Sequence, residues 1–165
     1  YAREAVAVGT PVLAAIAQRY GPASLRPDGQ LDRRWLGDRI FNHPEERHWL
    51  EAQIFPVVRA CYERDLAQVQ GATAVLAIPL LLEAGMTDLV TEIWVVTCTP
   101  EQQLARVQTR DRLARDQAQA RLASQRPLAE KLAIADVVLD NSGERSHLLA
   151  QVEAAVRRGD DRGVG

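Results

Sequence analysis

The chain has 165 residues, of which 47% are hydrophobic and 25% charged, and its formal net charge at pH 7 is -2. These values predict one globular domain with a hydrophobic core, and a near-neutral charge gives no general attraction to nucleic acid or to an anionic membrane. No apolar run is long enough to span a membrane, and Cys61, Cys98 and three scattered histidines lack the spacing of a metal site.

Helical patterns dominate the first 70 residues. We predict a helix over about Pro11 to Tyr20, a loop rich in glycine, proline and aspartate through Gly29, and a helix from about Asp32 to Phe41. Pro44 then begins an amphipathic segment that reaches about Val69. This segment is expected to be interrupted or kinked at Pro56, because proline removes a helical hydrogen bond.

The next segment, from Thr73 to Ile78, is apolar at nearly every position. This pattern predicts a strand that is covered on both faces. Pro79 would end its pairing, and Leu80 to Glu83 would line the crevice beyond the strand, where open α/β sheets bind ligands. The simpler alternatives are that Pro79 only ends the strand, the leucines belong to the core and Glu83 is a solvated charge.

Two further apolar, β-branched segments, Glu92 to Cys98 and Ala135 to Asn141, predict strands that alternate with helices. The alternation is typical of an α/β domain with a parallel sheet. Thr99-Pro100-Glu101-Gln102 has the features of a capped helix start. Helices are also predicted over about 116–125, 128–133 and 144–157, the last with a buried stripe of Leu148, Val152 and Val156.

Arginines are concentrated in one part of the chain. The segment from residue 106 to residue 126 contains only two acids, Asp111 and Asp116, but six arginines: Arg106, Arg110, Arg112, Arg115, Arg121 and Arg126. One interpretation is a solvated helical face. The other is a mobile clamp for phosphates, because planar guanidinium groups bind phosphate oxygens in pairs.

Six ordered pieces of the sequence together resemble the dephospho-CoA kinase family. They are D32-R33 with Leu36 and Phe41; R47-x-x-L50-E51 leading to I54-x-P56; P79-L80-L81-L82-E83; Q103-x-x-R106-x-x-x-R110-D111; R121-x-x-x-Q125; and A135-D136-V137-V138-L139-D140-N141-x-G143. The resemblance extends from about residue 1 to Val156.

The resemblance implies a three-layer α/β/α kinase of the P-loop type, in which ATP and Mg²⁺ phosphorylate the 3′-hydroxyl of dephospho-CoA in the cytoplasm. About 20–70 would be a helical acceptor-binding region and about 106–126 a helical lid within a single domain. Arg110 would be catalytic, and the ATP and lid residues would be Arg106, Arg110, Arg121, Gln125, Asn141 and Gly143. The acceptor side would comprise Arg33, Phe55, Pro79, Leu80, Leu81 and Glu83, with no metal ligand in this chain.

Two features depart from the family pattern. Phe55 stands where the family has histidine, and a phenyl ring cannot hydrogen-bond a phosphate. The only lysine, Lys131, has no nearby glycine, so the phosphate-binding motif G-x-x-x-x-G-K-[ST] does not occur in the sequence. We therefore expect an N-terminal segment to be absent and the 165-residue chain to be inactive by itself.

Alternatives remain at this point. The chain is also compatible with a nucleoside or nucleoside-monophosphate kinase of the same class, or with a non-catalytic fragment. At single positions, Arg33 could simply pair with Asp32 or Asp38, and Asn141 could be a turn residue before a left-handed Gly143.

Overall fold

The computed structural model describes residues 1–71 and 73–162, and it divides into two compact units, Tyr1–Leu89 and Val90–Gly165. The first unit is helical, with α1 over Pro11–Tyr20, α2 over Arg33–Asn42 and α3 over Pro44–Leu66. Short 3-10 turns occur at Pro22–Ser24 and Thr87–Leu89.

The core of the first unit forms where α1, α2 and α3 pack around the loop between α1 and α2. Its buried members are Val6, Val12, Leu13, Ile16, Leu31, Leu36 and Leu50. The helix starts follow local chemistry, since the Thr10 hydroxyl accepts from the amide of Leu13 and the Asp32 carboxylate caps α2. The predicted helices α1 and α2 are confirmed.

Helix α3 is continuous from Pro44 to Leu66, so the predicted interruption at Pro56 is wrong. Pro56 is exposed, and the helix continues through it as an internal residue. Contacts hold the helix on both sides of the proline, since Trp49 packs against Tyr20 and Arg59 binds Asp88, so the fold tolerates the lost hydrogen bond.

The second unit is built on a parallel pair of strands. In chain order it contains β1 over Trp94–Thr97, α4 over Pro100–Asp111, α5 over Arg115–Ala123, α6 over Leu128–Ala133, β2 over Val137–Asp140 and α7 over Arg145–Arg162. The strands pair in register from Trp94 with Val137 to Thr97 with Asp140. The predicted α/β class with a parallel sheet and flanking helices is confirmed.

Helix α7 covers one side of β2. Val137 and Leu139 are buried against Ala155, with Leu148 and Val152 packed beside them. Val156, predicted to belong to this stripe, is 49% exposed, because the helix presents Ala155 to the strand instead. Val138, on the other face of β2, is also about half exposed.

The segment predicted as the first strand does not form one. Residues 73–78 have no sheet assignment, and Val75 is 90% exposed. A strand is stabilised by ladder hydrogen bonds to a neighbour, and the described residues provide none for this segment. Within the described part of the chain, no helix is long and apolar enough to cross a membrane.

Candidate functional site

A cavity of about 740 Å³ opens beside α4 in the second unit. Its walls come from the segment after β1, from one side of α4 and from the end of α5: Cys98, Gln103, Ala105, Arg106, Val107, Thr109, Arg110, Leu122 and Gln125. Three of the predicted ATP and lid residues, Arg106, Arg110 and Gln125, therefore line the same space. Guanidinium and amide groups are donors suited to the oxygens of an anion.

The start of α4 places these arginines. The Thr99 hydroxyl accepts from the amide of Gln102 at 3.2 Å, and the Gln102 side chain accepts from the amide of Thr99 at 3.3 Å. This predicted capping box sets the helical register, with Pro100 in the first turn. Arg106 and Arg110 are then one turn apart on the same face of α4.

The loop after β2 is held against α4. Arg106 Nη2 donates to the carbonyl oxygen of Asn141 at 3.0 Å, and Gln102 Nε2 donates to that of Ser142 at 2.8 Å. The amide of Asn141 also donates to the carbonyl of Thr97 at 2.8 Å. The structure thus brings together two residues predicted from distant motifs, Arg106 and Asn141.

The same loop is not the left-handed turn considered from the sequence. The Asp140 carboxylate accepts from the amide of Ser142 at 2.8 Å, which forms the turn, and Gly143 is exposed with no positive φ. Gly143 lies next to the loop backbone that α4 binds, but its conformation is open to other residues.

Asp111, the last residue of α4, binds two of the predicted lid arginines. Its carboxylate accepts from Arg110 Nε at 2.9 Å and Nη2 at 2.8 Å, and from Arg121 Nη1 at 2.7 Å. The hydrogen bonds from Arg110 lower the pKa of Asp111; its burial opposes this, and the charge of Arg121 reinforces it. The carboxylate is therefore ionised at neutral pH, and the three side chains together carry a net positive charge.

In the first unit, Arg33 begins α2 and is exposed. Its Nη2 donates to the carbonyl oxygen of Arg3 at 3.4 Å. Partial burial of its side chain lowers the pKa of Arg33, and the positive charges of Arg3 and Arg26 lower it further.

The simpler interpretation of Arg33 is not confirmed. Asp32 uses its carboxylate as the cap of α2, accepting from the amides of Arg34 at 3.1 Å and Trp35 at 2.9 Å. The cap explains the position of Asp32 without a pair with Arg33, and the pairing of Arg33 with Asp38 stays a prediction.

The P79-L80-L81-L82-E83 motif forms a helical turn rather than the edge of a strand. The amides of Ala84 and Gly85 donate to the carbonyls of Leu80 and Leu82, and the amide of Met86 reaches back to Leu81 at 3.0 Å. Gly85 has φ +61, the left-handed cap of a Schellman motif, and Met86 is buried after it. Leu80 and Leu81 are half-buried on this turn, and Pro79 is exposed.

Glu83 is not the solvated charge of the simpler interpretation. Its Oε2 atom is shielded from solvent, and its charge acts on Glu51 of α3. Burial raises the pKa of Glu51, the positive charge of Arg47, 3.7 Å away, opposes this, and the charge of Glu83 adds to it. Phe55, partly buried, lies one turn further along the same helix face as Glu51.

The sequence analysis did not assign a role to Asp111 or Glu51, and it gave Gln102 only the role of a helix cap. Asp111 and Glu51 both belong to motifs of the family resemblance, so a signal for them was present. Their contacts to Arg121, Ser142 and Glu83 join positions distant in sequence, so a local pattern cannot show them. In the described ranges, no group of three or more His, Cys, Asp or Glu residues is placed to hold a metal ion.

Comparison with known proteins supports one family. The family profile described as dephospho-CoA kinase matches residues 1–147. Curated proteins named dephospho-CoA kinase are 54% identical over 159 residues in Synechococcus elongatus and 55% identical over 153 residues in Synechocystis sp.. These alignments cover 96% and 92% of this chain and 76% of each relative.

Solved structures share the fold. A dephospho-CoA kinase from Campylobacter jejuni aligns with a TM-score of 0.63 at 24% identity, covering 99% of this chain and 83% of the other. A protein from Thermus thermophilus aligns with a TM-score of 0.70 at 30% identity, covering 88% and 75%.

Proposed function

The chain belongs to the dephospho-CoA kinase family, and we propose that its second unit binds ATP while its first unit binds the phosphoryl acceptor. The family is of the P-loop kinase type and transfers the γ-phosphoryl group of ATP to the 3′-hydroxyl of dephospho-CoA, the last step of coenzyme A biosynthesis. The observation that carries the proposal is that Arg106, Arg110 and Gln125 line one cavity.

On the ATP side, Arg110 is the proposed catalytic residue. Phosphoryl transfer spreads negative charge over several oxygens, so a guanidinium group in contact with them stabilises the transition state. Arg121 and Gln125 contribute further donors to the lid, 106–126. Arg106 holds the loop from Asn141 to Gly143, which we assign to the vicinity of the adenine.

On the acceptor side, which we assign to about 20–70 with the turn that follows, charge and apolar surface are both available. The charges of Arg3 and Arg26 act on Arg33, and this concentration of positive charge suits the phosphates of the acceptor. Leu80 and Leu81, with Pro79 and Phe55, offer apolar contact to the pantetheine chain and adenosine. Glu83, whose charge acts on Glu51, is assigned to the same acceptor side.

Two further assignments belong to the proposal. Mg²⁺ accompanies ATP and is bound largely by its phosphates, and we assign none of the described residues to it. Because both substrates are soluble metabolites, we place the reaction in the cytoplasm.

An assay of ADP release with different acceptors tests the function. The full-length protein is expected to use dephospho-CoA far better than AMP, CMP or pantetheine, because only the first combines a ribose acceptor, phosphates and an apolar arm. A preference for a nucleoside monophosphate would contradict the proposal and favour a nucleotide kinase.

A further inference from the structure

We propose that Asp111 is a positioning residue, which orients the guanidinium group of Arg110 for the phosphates of ATP. The inference rests on the proposed function, because it assigns Asp111 a role through Arg110. It concerns a carboxylate, a group that a phosphate site would not normally include, since like charges repel.

The two hydrogen bonds between Arg110 and Asp111 fix the plane of the Arg110 guanidinium group. Arg110 donates to Asp111 through both Nε and Nη2, at 2.9 and 2.8 Å, so the two planar groups lie edge to edge. This fork uses two of the five N–H donors of the guanidinium. The remaining donors are on the edge of the group away from Asp111, and Arg110 lines the cavity.

The second arginine holds Asp111 in place. Arg121 Nη1 donates to Asp111 Oδ2 at 2.7 Å across the turn that joins α4 to α5. The Asp111 side chain is 22% exposed, that of Arg121 36% and that of Arg110 66%. The buried side of the cluster is thus Asp111 with Arg121, and the group nearest to solvent is Arg110.

The charges of the cluster indicate that Asp111 orients Arg110 and does not compete with the phosphates of ATP for it. Asp111 lies at the C-terminal end of a helix, where the helix dipole disfavours a negative charge. The two arginines outweigh this effect and keep the carboxylate ionised. Two guanidinium groups and one carboxylate leave a net positive charge for ATP. A fixed guanidinium also loses less rotational freedom when it binds, which favours the transition state.

The test is a kinetic comparison in the full-length enzyme. Asp111→Asn keeps the shape but replaces one accepting oxygen by a donor, so the fork is lost. We expect kcat to fall and KM for ATP to rise, each on the order of tenfold, with KM for dephospho-CoA unchanged. Asp111→Glu keeps the carboxylate and should recover part of the loss. If Asp111→Asn does not fold, Asp111→Glu alone is compared with the wild type, because its longer side chain displaces the carboxylate and should still raise KM for ATP.

A matched control and a double variant complete the design. Glu153→Gln removes an exposed acid that also pairs with an arginine, Arg157 of α7, outside the lid, and should leave both constants unchanged. In an Arg110→Ala background, Asp111→Asn should cause no further loss, because its effect passes through Arg110. Unchanged constants, a lower KM for ATP or additive losses in the double variant would overturn the proposal.

The same series separates this inference from the proposed function. A strong effect of Arg110→Ala with none of Asp111→Asn would contradict only the positioning role. The absence of any effect of Arg110→Ala would contradict the proposed ATP site itself.

Discussion

Arg110 and Arg115 are five positions apart in one arginine-rich segment, yet the structure gives them different surroundings. Arg110 lines the larger cavity and binds Asp111. Arg115 begins α5 and lines a separate depression of about 330 Å³, together with Pro100 and Glu101. The same residue type in the same local composition therefore has two expected roles.

This difference predicts unequal effects on catalysis. In the full-length enzyme, Arg110→Ala is expected to lower kcat on the order of a hundredfold, because a charge-stabilising donor contributes a few kcal/mol in the transition state. Arg115→Ala, which removes the same charge at an exposed position, should change kcat little. Steady-state kinetics at fixed ionic strength measure both, and equal losses would show that only the overall charge of the segment matters.

Residue roles were predictable from the sequence where they depend on near neighbours. The capping box of Thr99 and Gln102 was confirmed because its partners are three positions apart. The hydrogen bond from Arg106 to Asn141 joins residues 35 positions apart. The family resemblance predicted a role for each residue, but no local pattern could predict their contact.

At the scale of elements, the helices follow their start signals closely, whereas one predicted strand is missing. Helices have their hydrogen bonds inside one segment, so local signals such as Thr10, Asp32 and Thr99 locate them. A strand depends on a partner. Glu92 to Cys98 and Ala135 to Asn141 contain strands that pair with each other, and residues 73–78, with equally suitable composition, do not pair.

The turn after this segment gives a prediction for stability. Gly85 has φ +61 with no atom near the position of a Cβ, so a substitution meets backbone strain rather than a clash. Gly85→Ala is expected to lower the free energy of unfolding by about 1–2 kcal/mol. Urea denaturation measures the change.

The control for this variant is Gly71→Ala. Gly71 also has open space at the Cβ position but no positive φ, so its replacement should leave stability unchanged or slightly higher. Equal effects at the two positions would mean that the left-handed conformation of Gly85 does not limit the fold.

At the scale of the whole molecule, the α/β class and the parallel sheet were predictable because apolar segments alternate with helices. The division into two compact units was not, since their cores form from contacts between distant residues. Val156 illustrates the limit of the sequence pattern. After Leu148 and Val152, the next buried position of α7 could be either Val156, four positions on, or Ala155, three positions on. Packing against β2 buries Ala155.

Both units also contain carboxylates that basic or phenolic side chains stabilise. Hydrogen bonds from Arg19 and Tyr20 lower the pKa of Glu46, and a hydrogen bond from Arg59 lowers that of Asp88. In the second unit, Arg110 lowers the pKa of Asp111. Glu51 has the opposite sign, because burial raises its pKa.

These directions predict loss of stability in acid. A carboxylate whose pKa is lower in the folded state contributes stability above its unfolded pKa, about 4, and this contribution is lost as the pH falls through the folded pKa. The free energy of unfolding should therefore decrease below about pH 4, with a partial offset as Glu51 takes up a proton. Urea denaturation from pH 7 to pH 3 measures this slope. Because acids of both units contribute, the double variant Glu46→Gln with Asp111→Asn should show a smaller decrease in the free energy of unfolding than the wild type. A wild-type free energy of unfolding that does not change from pH 7 to pH 3 would show that these pairs do not couple to folding.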